Sequence, residues 1–183
     1  MWALSKQPIL ILTLAIWGIG TASGGDFNEK TIVTFAAPVE IPGQALPAGT
    51  YVFKVIDSST TNNVVQVFDQ GESHLFATFL AVPDYRMKPA DKSIVLFEER
   101  PSDTPEAVRA LFCRGDQYAR LFVYPHTAAL AIARRSHQTV LQMRDETGTN
   151  TQDLKKKSVS AVDESGETVD MKNVTSGKPN QPR

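Results

Sequence analysis

Between residues 30 and 124 the chain runs in short apolar stretches, rich in β-branched and aromatic side chains, that are broken by Pro, Gly, Asp and Asn. This pattern predicts strands joined by turns. The strands are expected at residues 31–35, 50–56, 64–68, 75–82, 93–98 and 118–124. "DSSTTNN" (57–63) and "DQGES" (69–73) read as hairpin-type connections. Side chains alternate between the two faces of a strand, so Tyr51, Phe53 and Val55 share one face while Lys54 marks the other. Residues 75–82 are apolar on both faces, which predicts a central strand and requires a second layer, either a sheet or a helix.

Two short helices are expected beside these strands. In the first, Thr104 serves as N-cap, Pro105 occupies the first helical position, and Ala107, Val108, Leu111 and Phe112 form one apolar face before Gly115 stops it. The second covers residues 126–135, with Thr127 as cap and a basic last turn that suits the helix dipole. A last short strand follows at 139–143. After Met143 the composition turns polar, without an aromatic residue, and too little apolar area remains to offset the chain entropy of folding. Residues 144–183 are therefore expected to form a disordered polar tail. The fold class that results is mainly β: an antiparallel β-sandwich or partly open barrel with one or two short helices, occupying residues 27–143.

The N-terminus carries an address. Lys6 precedes an apolar run at 9–19, "ILILTLAIWGI", and small residues follow at 20–25. A basic start, a short apolar run and a small-residue zone make a secretory signal peptide. It is assigned to residues 1–22, with cleavage after Ala22. The run falls short of the about 20 apolar residues that a membrane span needs, so no integral span is expected after cleavage. Export to the periplasm or the medium follows. Cys113 is the single cysteine, which excludes an intramolecular disulfide and leaves stability to the hydrophobic core. That usage fits a bacterial setting better than a eukaryotic secretory one. The chain has 183 residues and a formal net charge of −1. So balanced a charge supports neither a nucleic-acid partner nor a polybasic contact with anionic lipid.

"LPAGTYVF" (46–53) looks at first like a cell-wall sorting signal, but Gly49 precedes Thr50 and no apolar span follows it downstream. It reads instead as a turn entering a strand, with Pro47 fixing its own φ and Gly49 accepting a positive one. Leu-Pro-x-Gly-x-Tyr before alternating apolar residues resembles the strand-entry motif of transthyretin-like β-sandwich modules, including collagen-adhesin B-type repeats. A broader likeness rests on "PVEIPGQALPAGTYVFK" (38–54), "PDYR" (83–86), "FEERP" (97–101) and "FVYP" (122–125). In that order they resemble a family of small exported bacterial β-rich proteins of unknown function. The likeness implies an exported β-domain and no catalytic role.

Candidate chemistry is sparse. His74, His126 and His137 match no zinc spacing and lack paired cysteines, so no metal or cofactor is expected. Cys113 with His126 as base is weighed against a buried small apolar residue, and the second reading is preferred. Glu98 and Glu99 are neighbours in a strand and point to opposite faces, so they cannot flank one bond; they read as a charged strand exit. Arg114-Gly115-Asp116, a three-letter adhesion motif, reads as turn chemistry. The connection 83–92, "PDYRMKPADK", is longer than an ordinary hairpin loop and sets an aromatic ring, a guanidinium and a lysine on a rigid base. Asp84, Tyr85 and Arg86 are therefore the candidate binding residues, with Arg86 alternatively pairing with Glu98 or Glu99. The function expected is a non-enzymatic exported binding or structural module, with an envelope protein or glycan as partner. The alternatives are a carrier of an apolar small ligand in the β-core and an exported hydrolase with an unrecognised site.

Overall fold

The computed structural model describes residues 29–56, 63–85, 90–98, 104–144 and 151–171. The expected signal peptide at 1–22 lies outside them. Alternation sets the first strand: β1 (Glu29–Phe35) buries Thr31 and Phe35 and exposes Lys30, Ile32 and Thr34. The chain continues through β2 (Val39–Ile41), β3 (Gln44–Leu46), β4 (Gly49–Ile56), β5 (Asn63–Asp69), β6 (Leu75–Tyr85), β7 (Ile94–Glu98), β8 (Glu106–Phe112) and β9 (Tyr118–Phe122). Then come β10 (Tyr124–Pro125), α1 (His126–Ser136), β11 (Val140–Met143), α2 (Thr151–Lys155), β12 (Ser160–Val162) and β13 (Thr168–Val169).

The first nine strands make one mixed sheet in the order β1-β4-β5-β6-β9-β8-β2-β3, with β7 on the other edge of β8. All its ladders are antiparallel except that of β2 with β8. The sheet curls on itself. Arg120 of β9 reaches Glu29 of β1 at 3.0 Å, and the rings of Phe35 on β1 and Phe97 on β7 lie 6.3 Å apart. Between β1 and β7 no ladder closes the curl, so the barrel is partly open.

Inside the curl Tyr51, Phe53, Val55, Val65, Val67, Phe79, Leu111 and Phe122 form the main core, joined by Ala129, Ile132 and Ala133 of α1. Each fully buried Phe or Leu contributes about 1.5–3 kcal/mol through the area removed from water. A second sheet, β10-β11-β12-β13, packs on part of the outer face. There Leu141, Met143, Leu154 and Ala161 cover Val64, Leu80, Val82, Ala110, Phe112 and Leu121. The mainly β architecture with short helices agrees with the sequence expectation.

Several local expectations need correction. The helix expected after Thr104 is strand β8. Ala107, Val108, Ala110, Leu111 and Phe112 are all buried, divided between the two cores. A run that is apolar at nearly every position satisfies helical spacing by coincidence, and a strand covered on both sides wants the same residues. Gly115, with φ 83°, turns β8 into β9 instead of ending a helix. The polar tail expected from residue 144 is ordered through Met171 where described, because α2 supplies Leu154 and β12 pairs with β11 through Ala161 and Val162. Small buried residues there need little area, since the ladder to β11 positions them. The hairpin β2–β3 was not anticipated. It turns at Gly43 (φ 96°), and the positive φ expected at Gly49 is absent. Gly49 instead pairs with Phe35 at the start of β4, where an added Cβ would meet the Tyr51 hydroxyl oxygen at 3.4 Å. Tyr51 donates its hydroxyl to the Pro47 carbonyl at 2.8 Å, tying the turn to the strand. Helix α1 forms as expected, but its N-cap residue is Pro125 and not Thr127.

Candidate functional site

The connection at 83–92 is shorter than its sequence implied, because β6 runs on through Pro83, Asp84 and Tyr85. These pair with Arg120, Ala119 and Tyr118 of β9, so the candidate residues begin on a rigid ladder. Tyr85 and Tyr118 stand opposite each other, 59% and 45% exposed, with rings 5.6 Å apart at 62°. Asp84, next in β6, is half-buried and points to the opposite face; burial pushes its carboxyl above the ordinary range, against the pull of the Arg109 charge. The far end of the connection is pinned as well. Ala90 is buried, its amide donates to the Asp116 carbonyl at 3.1 Å, and the Gly115 amide donates to the Ala90 carbonyl at 2.8 Å. Arg86 lies outside the described residues, as does Glu99. Glu98 is buried and faces the Arg109 guanidinium at 3.8 Å.

Beneath this rim lies a charged cluster that sequence reasoning missed. Arg120, only 4% exposed, holds Glu29 at 3.0 Å and Asp116 at 2.7 Å, and donates to the Tyr118 carbonyl at 2.8 Å; among the described residues its Nε has no partner. Burial raises the Glu29 carboxyl while Arg120 works to lower it. The signal was a cation in register with Phe122, two positions along, on an inward face. Such a pair costs desolvation and returns it through geometry, so the cluster fixes how β1 meets β9 more than it adds stability.

Cys113 sits beside this cluster, with Glu29 and Thr31 as hydrogen-bond neighbours. Burial pushes its thiol up to about 11, which leaves it protonated at neutral pH. His126 is elsewhere, its Nδ1 2.5 Å from the Gln142 side-chain oxygen. His74 packs edge-on against Phe76, and His137 pairs with Glu164. Asp116 of the Arg-Gly-Asp triplet is engaged by Arg120. Among the described residues no group of three or more His, Cys, Asp or Glu is placed to hold a metal ion. Likewise, no described helix is long and apolar enough to cross a membrane.

A second feature lies on the outer face of the large sheet. Ladder partners link Ile32 to Val52, Val52 to Phe68 and Phe68 to Leu75, one apolar row across β1, β4, β5 and β6. A bulge beside Phe68 places Leu75 in this row. Val52 is fully buried, whereas Ile32 and Leu75 are 60% and 45% exposed. Polar rows border it. On one side Lys30 and Lys54 both pair with Glu72, and Lys54 lies 4.9 Å over the Phe68 ring. On the other, the Thr34 and Thr50 hydroxyls share a hydrogen bond of 2.9 Å.

No protein-family model, curated protein or solved structure matches the chain.

Proposed function

We propose that this protein is an exported, non-enzymatic binding module that holds an envelope glycan or protein at the ends of β6 and β9. The observation that carries this reading is the exposed pair Tyr85 and Tyr118, held edge to face on a rigid ladder. Two tilted tyrosines offer apolar ring faces to sugar C–H groups or to an aliphatic side chain, while their hydroxyls make polar contacts. The cost of ordering is small because a tyrosine has few rotatable bonds and this base is already fixed. Export rests on the basic start, apolar run and small-residue zone of residues 1–25, with the N-terminus after cleavage falling at Ser23.

The packed interior weighs against the carrier reading. Phe53 and Phe79 each lie against Phe122, at centroid separations of 6.2 and 4.6 Å, where a ligand would have to sit. Among the described residues the Cys113 thiol is held near 11 and His126 and His137 are engaged on separate elements, which weighs against a thiol–histidine hydrolase.

The test is retention of isolated envelope polysaccharide by the immobilised protein, beside Tyr85→Ala and Tyr118→Ala. Loss of either ring should weaken retention by about tenfold or more, the scale of an aromatic contact residue. Equal retention by all three proteins would overturn the reading.

A further inference from the structure

We infer that the outer edge of β1 is a docking site for a second copy of this chain, paired antiparallel about a two-fold axis through Ile32. Among the described residues β1 is laddered to β4 along one edge, and its other edge carries no ladder. An open edge presents unpaired N–H and C=O groups that template another strand. Proteins often protect such edges with lysine. Here Lys30 is the one lysine on β1, and its ammonium is drawn away to Glu72.

The outward residues of β1 are Lys30, Ile32 and Thr34. With Ile32 opposite Ile32 of the second copy, Lys30 falls opposite Thr34, and Thr34 opposite Lys30. The arrangement satisfies a two-fold interface, in which one patch must complement itself, and it sets no charge against a like charge. The same register joins the two apolar rows end to end. Leu75, Phe68, Val52 and Ile32 of one copy would continue into Ile32, Val52, Phe68 and Leu75 of the other. Ile32, 60% exposed in the single chain, would then become the centre of a continuous stripe. This site is separate from the Tyr85–Tyr118 surface and stands without it.

The test is sedimentation of the purified chain over a wide concentration range, with variants at both ends of the row. The chain should reach twice its own mass. Ile32→Lys, which sets two ammonium groups face to face, should raise the dissociation constant by about tenfold or more while leaving thermal melting of the single chain unchanged. Under mild oxidation Ile32→Cys should give a disulfide-linked dimer. Leu75→Cys should not, because seven strand spacings, about 33 Å along the sheet, separate the two positions. A chain that stays monomeric and forms no link through Ile32→Cys would overturn the inference. So would a dimer indifferent to Ile32→Lys, one linked through Leu75→Cys, or an edge of β1 filled by a different protein. Should Ile32→Lys fail to fold, the two cysteine variants decide the matter alone.

Discussion

The two ends of the β5–β6 hairpin carry the same kind of apolar cross-strand pair on the same outer face, with different outcomes. At one end Val64 opposes Leu80, and both are fully buried beneath a second layer that includes Leu154 of α2 and Met143 of β11. At the other, Phe68 opposes Leu75, and Leu75 is 45% exposed beside an Ile32 that is 60% exposed. A strand pattern states only that a position is apolar. Whether it is covered from within the chain or from outside depends on where later segments land. The chain spends its second sheet on one end and leaves the other open, and an open apolar row with polar rims is the ordinary form of an interaction surface.

Substitution should separate the two ends sharply. Leu80→Ala should cost about 3 kcal/mol, because the layer above it can only partly collapse into the space. Leu154→Ala should cost somewhat less, about 2 kcal/mol, because it removes cover and leaves the layer beneath intact. Denaturant unfolding monitored by tyrosine fluorescence checks both; equal stability of Leu154→Ala and wild type would mean that α2 covers nothing.

The open end should respond more strongly to acid. Asp69 accepts bonds from the His74 amide and the Ser73 hydroxyl, each at 2.7 Å, and Glu72 is held by Lys30 and Lys54. These hydrogen bonds hold both carboxyls below their ordinary range. Their contribution is therefore complete above the unfolded carboxylate range and is lost as pH falls through the lower folded values. Glu29, raised by burial, runs the other way: its part of the stability is present in acid and lost as pH rises past the unfolded carboxylate range toward its folded value. Melting temperature followed from neutral pH downward should fall for wild type and fall less for Asp69→Asn. Parallel curves would detach the turn from the account.

The smallest effect is expected at Leu75→Ala, within about 0.5 kcal/mol of wild type in the single chain, since the site has little cover to lose. A loss as large as that of Leu80→Ala would erase the distinction between the two ends.

Much of this was legible in the sequence. Strands β1, β4, β5, β6, β7 and β9, helix α1 and strand β11 lie where alternation and alanine-rich spacing put them. Strand β8 was not, because a segment buried on both faces loses its period of two and mimics a helix. Strands β12 and β13 were hidden by length. Val162 and Ala161 look unremarkable until β11 offers them a ladder. The candidate surface was legible in part: Tyr85 stands out in sequence, but Tyr118 joins it only through the register of β6 with β9. The row from Ile32 to Leu75 was beyond reach, since it depends on three registers and on a bulge that no local pattern marks.

Amide hydrogen exchange at residues 30–34, measured at low and at high protein concentration, tests the central claim most directly. The account predicts that these β1 amides exchange more slowly as concentration rises, while those of β5, buried within the sheet, keep their rates. Exchange in β1 that is independent of concentration would contradict it.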